Sequence, residues 1–136
     1  MAKYVYPAIF AAEDEGGYSV NFPDIEGCYT QGEDMADALE MAKDALCLML
    51  YEYEKNDDKF INKVSKPSDP KSIPVNENET VSLVHCDTIF YKRFYEAKSV
   101  KKTLTIPLWL NEEASAKGIN FSQTLQNALL EQLNLA

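Results

Sequence analysis

"YSVNFPDIEGCYTQGEDMADALEMAKDALCLMLYEY", Tyr18 to Tyr53, changes its hydrophobic period partway along, and that change sets the fold class. In "YSVNF", Tyr18, Val20 and Phe22 alternate with Ser19 and Asn21, the period of a strand with one buried face. From Asp34 to about Asn56 the apolar positions Met35, Ala38, Leu39, Ala42, Ala45, Leu46, Met49, Leu50 and Tyr53 recur at three and four, as in an amphipathic helix. Asp34 suits the N-cap, with Asp37 at N3, and both charges suit the positive end of the helix. Thr30 with Glu33 offers a competing capping box one turn earlier.

On the N-terminal side, "KYVYPAIF" (Lys3–Phe10) is rich in β-branched and aromatic residues and reads as a strand, with Pro7 pointing to a sheet edge. "EDEGG" supplies turn glycines at Gly16 and Gly17, so the two strands make a hairpin. "IEGCYTQG" is a further short extended piece or a turn. On the C-terminal side, residues 57–79 hold three prolines among many polar residues and read as a long loop. A strand follows over Thr80–Cys86, then a short aromatic helix in "TIFYKRFYEAK" that returns toward the sheet. The order β-β-α-β-α predicts an α+β domain over residues 1–97, an antiparallel sheet with one long helix packed across it.

Residues 98–136 form a second module. In "VKKTLTIP", Val100, Leu104 and Ile106 point one way and Lys101, Thr103 and Thr105 the other. The alternation puts Lys102 on the apolar side, although its charge calls for water or phosphate. Pro107 ends this strand, "LWLNEEASAK" is a helix, and Gly118 suits the C′ position. Asn120 caps a second helix, with Gln123 closing an N-x-x-Q box, and that helix buries Leu125, Ala128, Leu129 and Leu133. A unit below about 40 residues rarely holds a core alone, and a lone strand leaves its backbone groups unpaired. Pairing with the same strand of a second chain answers both needs. The product is a two-stranded ribbon over four helices, with Leu104, Ile106, Trp109, Leu125 and Leu129 in the shared core.

Such a ribbon fits the DNA major groove. Lys101, Lys102, Thr103 and Thr105 would meet bases and phosphates. The start of the second helix, with Asn120, Ser122 and Gln123, would meet a phosphate without opposing charge. The same pattern also suits a dimerisation module that never meets DNA.

The chain has 136 residues and a formal charge of -9. Residues 1–97 carry 9 Lys/Arg against 19 Asp/Glu, and residues 98–136 carry 4 Lys against 3 Glu. An acidic body that repels nucleic acid is followed by a tail that need not. Cys28, Cys47 and Cys86 are odd in number and widely spaced, which argues for free thiols and against a disulfide framework or thiolate zinc site. No apolar run approaches a membrane span, and "MAKYVYPAIF" lacks the build of a signal peptide, so a cytoplasmic product is expected.

Two stretches together carry a family resemblance. The tail "KKTLTIPLWLNEEASAKGINFSQTLQNALLEQL" resembles a ribbon-helix-helix domain, and "FPDIEGCYTQGEDMADALEMAKDAL" (Phe22–Leu46) is similar to the signature of HicB antitoxins. The resemblance implies an N-terminal domain with a partial RNase H-like fold and a C-terminal DNA-binding domain. It also implies a partner, a small basic HicA-type ribonuclease toxin whose RNA-binding surface the acidic domain covers. The tail is expected to bind the operator of its own operon as a homodimer or a dimer of dimers. A body of net charge -10 would attract such a toxin, with Glu13, Asp14, Glu15, Asp24, Glu26 and Asp34 as candidates to mimic a phosphate path.

Two other readings are weighed beside this one. A ligand-responsive repressor would need a concave apolar pocket in the N-terminal domain. A metal-dependent nuclease would need carboxylates converging on one point, with Asp24, Glu26 and Asp87 as its nearest candidates. His85, the only histidine, sits in "SLVHCD", and Cys86 beside it points to the opposite strand face. No phosphate-loop, dinucleotide or zinc-protease motif occurs. No enzyme activity, metal or cofactor is expected.

Overall fold

The computed structural model describes residues 3–96 and 98–136. The chain divides into two compact units, Met1–Lys98 and Ser99–Ala136. The boundary expected after residue 97 falls on Ala97, outside the described residues.

The first unit runs β1 (Lys3–Ala12), β2 (Tyr18–Asn21), β3 (Tyr29–Gly32), α1 (Met35–Glu54), α2 (Asp57–Lys63), a 3-10 turn (Pro70–Ser72), β4 (Glu79–Asp87) and α3 (Thr88–Tyr95). The four strands form one antiparallel sheet in the order β3-β2-β1-β4. The architecture is α+β, as the change of period predicts. β1 is interior, which corrects the edge position inferred from Pro7. The reason is local: β4 pairs along Lys3–Ala11, whereas β2 pairs only along Ile9–Ala12. Pro7 therefore lies where β1 has a neighbour on one side only, the setting in which a strand tolerates proline.

One sheet face packs against α1. Tyr6, Ala8 and Phe10 of β1, Val20 of β2 and Val84 and Cys86 of β4 are buried there. Phe22, Ile25 and Cys28, in the β2–β3 connection, close one end of this core. Each large side chain buried here contributes about 1.5–3 kcal/mol. From α1 come Ala38, Ala42, Leu46, Cys47, Leu50 and Tyr51. The buried stripe thus takes in Cys47 and Tyr51, while Met35 and Leu39 stay exposed, a rotation from the expected set. Of the two possible caps, Asp34 is used: its Oδ1 accepts the Asp37 N–H at 2.8 Å, and Asp37 Oδ2 accepts the Glu33 N–H at 2.8 Å. Thr30 is held in β3 instead.

The segment read as a loop from residue 57 opens with α2. Asn56 caps it, accepting the Lys59 N–H at 3.0 Å, with Asp57 and Asp58 in its first turn and Lys63 in its last. Charge and cap hold this helix more than apolar pattern does, because Phe60 packs inward while Ile61 is exposed. α3 lies on α1. Tyr91 donates to Asp44 at 2.9 Å, and Glu54 Oε1 receives the Thr88 hydroxyl at 2.9 Å and the Tyr4 hydroxyl at 2.7 Å. Among the described residues no helix is long and apolar enough to cross a membrane.

The second unit holds α4 (Leu108–Ala116) and α5 (Phe121–Gln132). Residues 99–107 take no regular structure within a single chain, so the expected strand is not formed there. A strand needs a neighbour to accept its backbone bonds, and one chain supplies none at this position.

Candidate functional site

In the second unit the helices are tied by local capping. Gly118 adopts φ 69°, its N–H donates to Ser115 O (3.0 Å), and the Ile119 N–H donates to Ala114 O (3.1 Å). These two bonds make a Schellman motif that turns the chain into α5. Asn120 Oδ1 then accepts the Gln123 N–H at 3.0 Å. The Gln123 side chain does not close the expected box. It donates forward to Asn127 Oδ1 at 2.9 Å, and Gln126 Nε2 donates to Ser122 Oγ at 3.1 Å. The reason is helical spacing: both pairs are i and i+4, face to face on one side of α5.

Lys101, Lys102, Thr103, Thr105, Asn120, Ser122 and Gln123 are all exposed. The residues expected in a dimer core are also uncovered in one chain. Leu104 is 58% exposed, Ile106 42%, Trp109 65% and Leu129 51%, and Leu125 is half-buried. Ala128 and Leu133 are exposed too, so α5 does not bury its apolar stripe within the chain. Ala114 alone among the described residues of this unit is buried. Exposed apolar side chains in this number are unusual on so small a unit.

The acidic candidates separate into two groups. Glu13, Asp14 and Glu15 are exposed in the β1–β2 turn, which is closed by Glu13 N–H to Gly17 O (3.0 Å) and Gly16 N–H to Glu13 O (3.0 Å). Gly16 and Gly17 take φ of 98° and 81°, a region open to glycine and strained for other residues. This turn borders a groove of about 650 Å³ that also takes in Glu33, Asp37 and Met41. Sequence reasoning placed Glu33 and Asp37 only in the capping of α1, because the turn of the chain into α1 is what brings them beside the hairpin.

The other group is engaged within the fold. Asp24 is buried, and its carboxylate accepts both the backbone N–H (2.9 Å) and the hydroxyl of Ser68. Glu26 pairs with Lys63 at 2.8 Å, and Asp34 caps α1. These engagements take Asp24 off the surface and leave Glu26 and Asp34 exposed.

The same geometry bears on the catalytic alternatives. Asp24 is held by Ser68, Glu26 by Lys63, and Asp87 caps α3 by accepting the Ile89 N–H at 3.0 Å. Among the described residues no three His, Cys, Asp or Glu side chains gather around a metal-sized space. His85 is exposed on the sheet face away from α1, and Cys86 is buried on the other. The three cysteines are free and buried. Burial pushes the Cys28 thiol up to about 12, and a hydrogen bond with Cys47, aided by burial, raises that of Cys86.

The fold defines a two-unit α+β protein, an acidic sheet-and-helix unit followed by a small helical unit with an open apolar face. The chain belongs to the HicB-like antitoxin family of bacterial toxin–antitoxin systems: residues 6–128 match the family described as "HicB_like antitoxin of bacterial toxin-antitoxin system". It is similar to Antitoxin HicB of Escherichia coli (strain K12), 45% identical over 56 residues, and to Antitoxin HicB 1 of Photorhabdus laumondii, 44% identical over 55 residues. These matches cover 41% and 40% of this chain and span only 40% and 36% of those relatives. The fold matches a chain of a toxin–antitoxin complex from Streptococcus pneumoniae with a TM-score of 0.59 and 30% identity, over 96% of this chain and 99% of that one.

Proposed function

We propose that this chain is an antitoxin that neutralises a small basic HicA-type ribonuclease through its N-terminal unit and represses its own operon through its C-terminal unit. The observation that carries the second half is the uncovered apolar face of residues 104–133 beside an exposed Lys101–Thr105 stretch of opposite alternation. A second copy covers Leu104, Ile106, Trp109, Leu125 and Leu129, and two copies of residues 101–106 pair as an antiparallel ribbon. Lys101, Thr103 and Thr105 then face one side, where Thr offers a hydroxyl and a methyl to base edges and Lys meets phosphate. The amides of Phe121 and Ser122, at the start of α5, have no acceptor inside the helix and serve a backbone phosphate.

The first half rests on charge and family. A unit of net charge about -10 on its ionisable side chains favours fast encounter with a basic partner. Glu13 and Glu15 of the turn line one groove with Glu33 and the half-buried Asp37, and Asp14 is exposed beside them in the turn. We read this unit as a truncated RNase H-like sheet and helix used for binding rather than chemistry.

Co-expression with the protein of the neighbouring reading frame, followed by affinity capture, tests the antitoxin half. A basic partner that copurifies, and whose ribonuclease activity ceases in the complex, is the expected result. A neighbouring product that is not basic, or that does not bind, would remove this reading.

A further inference from the structure

We propose that Cys47 and Cys86 are a peroxide-responsive modification site, two thiols that hydrogen peroxide joins into a disulfide fastening α1 to β4. The two residues are far apart in sequence, but the fold buries both, at 1% and 0% exposure, where α1 packs on the sheet. The Cys86 thiol donates a hydrogen bond to the Cys47 sulfur, so the two sulfurs are direct neighbours. The Asp87 N–H donates to the same sulfur, and Lys43 lies one helical turn earlier on α1. Cys28 is the internal contrast: it is equally buried, and burial alone acts on its thiol.

The surroundings give the two sulfurs different parts. The Cys86 hydrogen bond is the largest influence on Cys47. With the Asp87 amide and the Lys43 charge it outweighs burial and the nearby Asp44, and so favours the thiolate, the form that attacks. Cys86, as the donor, keeps its proton. The Cys47 thiolate attacks one peroxide oxygen, the O–O bond breaks, and the departing hydroxide takes up a proton to become water. The Cys86 sulfur then attacks the sulfenic sulfur of Cys47, the S–O bond breaks, and hydroxide leaves as water with the Cys86 proton. Two thiols and one hydrogen peroxide give one disulfide and two waters, and two electrons pass from sulfur to peroxide. Entry is past α3, the short last helix of its unit, whose Tyr91 lies near enough to Cys47 to feel its charge. Local opening of such an element admits a molecule as small as peroxide. In a reducing compartment the pair rests as thiols and links only when oxidant rises. The bond closes the segment between the cysteines in the unfolded chain, so the oxidised form is the more stable one. This site lies wholly in the N-terminal unit and depends on neither half of the proposed function.

Peptide mapping of the full chain tests this. The reduced protein is treated with hydrogen peroxide, unfolded in a maleimide that caps the remaining thiols, and digested. The expected product is a Cys47–Cys86 cross-link within a single chain, with Cys28 capped. Cys47 should react at least about tenfold faster than Cys28. The urea midpoint should rise on oxidation and return on adding dithiothreitol. Cys86→Ser keeps a hydrogen-bond donor beside Cys47 but supplies no second sulfur, so Cys47 should stop at the sulfenic acid and be captured by dimedone. The wild-type map decides the matter even where that variant fails to fold. The proposal is overturned if Cys47 and Cys86 stay as thiols under peroxide that oxidises glutathione in a parallel tube, or if Cys28 reacts as fast. It is equally overturned if the cross-link joins two chains, forms only in urea, or leaves the urea midpoint unchanged.

Discussion

A Cβ placed on Gly32 would lie 2.4 Å from the backbone nitrogen of Ala38 and 2.5 Å from its Cα. The end of β3 therefore passes against the first turn of α1 with no room for a side chain. This is the physical reason for the glycine in "TQGEDMADA": its conformation is ordinary, but its neighbour is backbone that cannot yield. Gly32→Ala should destabilise the N-terminal unit by about 3 kcal/mol, with α1 displaced from the sheet. Urea unfolding followed by circular dichroism measures this. A change within a few tenths of a kcal/mol would show that the helix can shift freely.

Asp34 has a cap to make and, as one of the acidic candidates for the toxin-facing surface, an exposed charge. Asp34→Ala should cost about 1 kcal/mol, because the Asp37 N–H loses its acceptor, whereas Asp34→Asn keeps an equally good cap. The two substitutions separate the roles. Stability falls only in the alanine variant, and any loss of toxin affinity common to both belongs to the charge. Denaturant midpoints and a binding titration on the same samples read them out.

Stability should fall on the alkaline side. Cys28 is raised by burial from the ordinary 9.0 to about 12, so between those values the folded chain holds a proton that the unfolded chain releases. The contribution is whole below pH 9 and is lost as the pH rises toward 12. Tyr4 and Tyr91, raised first by burial and then by their bonds to Glu54 and Asp44, steepen the fall above pH 10. Urea midpoints between pH 8 and 10.5 should decline, and Cys28→Ala should show a shallower decline than wild type. A flat wild-type profile would contradict this account of the buried thiol.

The sheet, the long helix and the two tail helices were legible because each has a hydrophobic period long enough to read. The position of β1 was not, since a proline marks a vacant side only once the length of β2 is known. α2 escaped notice because its one inward residue, Phe60, makes no period. Its signal was the cap at Asn56 with acids in the first turn and Lys63 in the last. On α1, Cys47 and Tyr51 are buried while Met35 and Leu39 are exposed, and the Tyr51 ring stacks on Tyr95 of α3 at 6.1 Å, a contact between elements that pattern alone does not contain. In the tail, α5 carries its apolar residues at helical spacing, and within one chain Ala128, Leu129 and Leu133 stay exposed.

The DNA-binding claim rests on residues 101–105, and it is tested most directly by titrating the full chain onto the DNA upstream of its own reading frame. Anisotropy would be followed at several salt concentrations. The account predicts specific binding that Thr103→Ala and Thr105→Ala each weaken by about 1–3 kcal/mol with relaxed specificity. Lys101→Ala should weaken binding to every sequence and reduce the salt slope by about one. Wild-type affinity and salt dependence in all three variants would contradict the account.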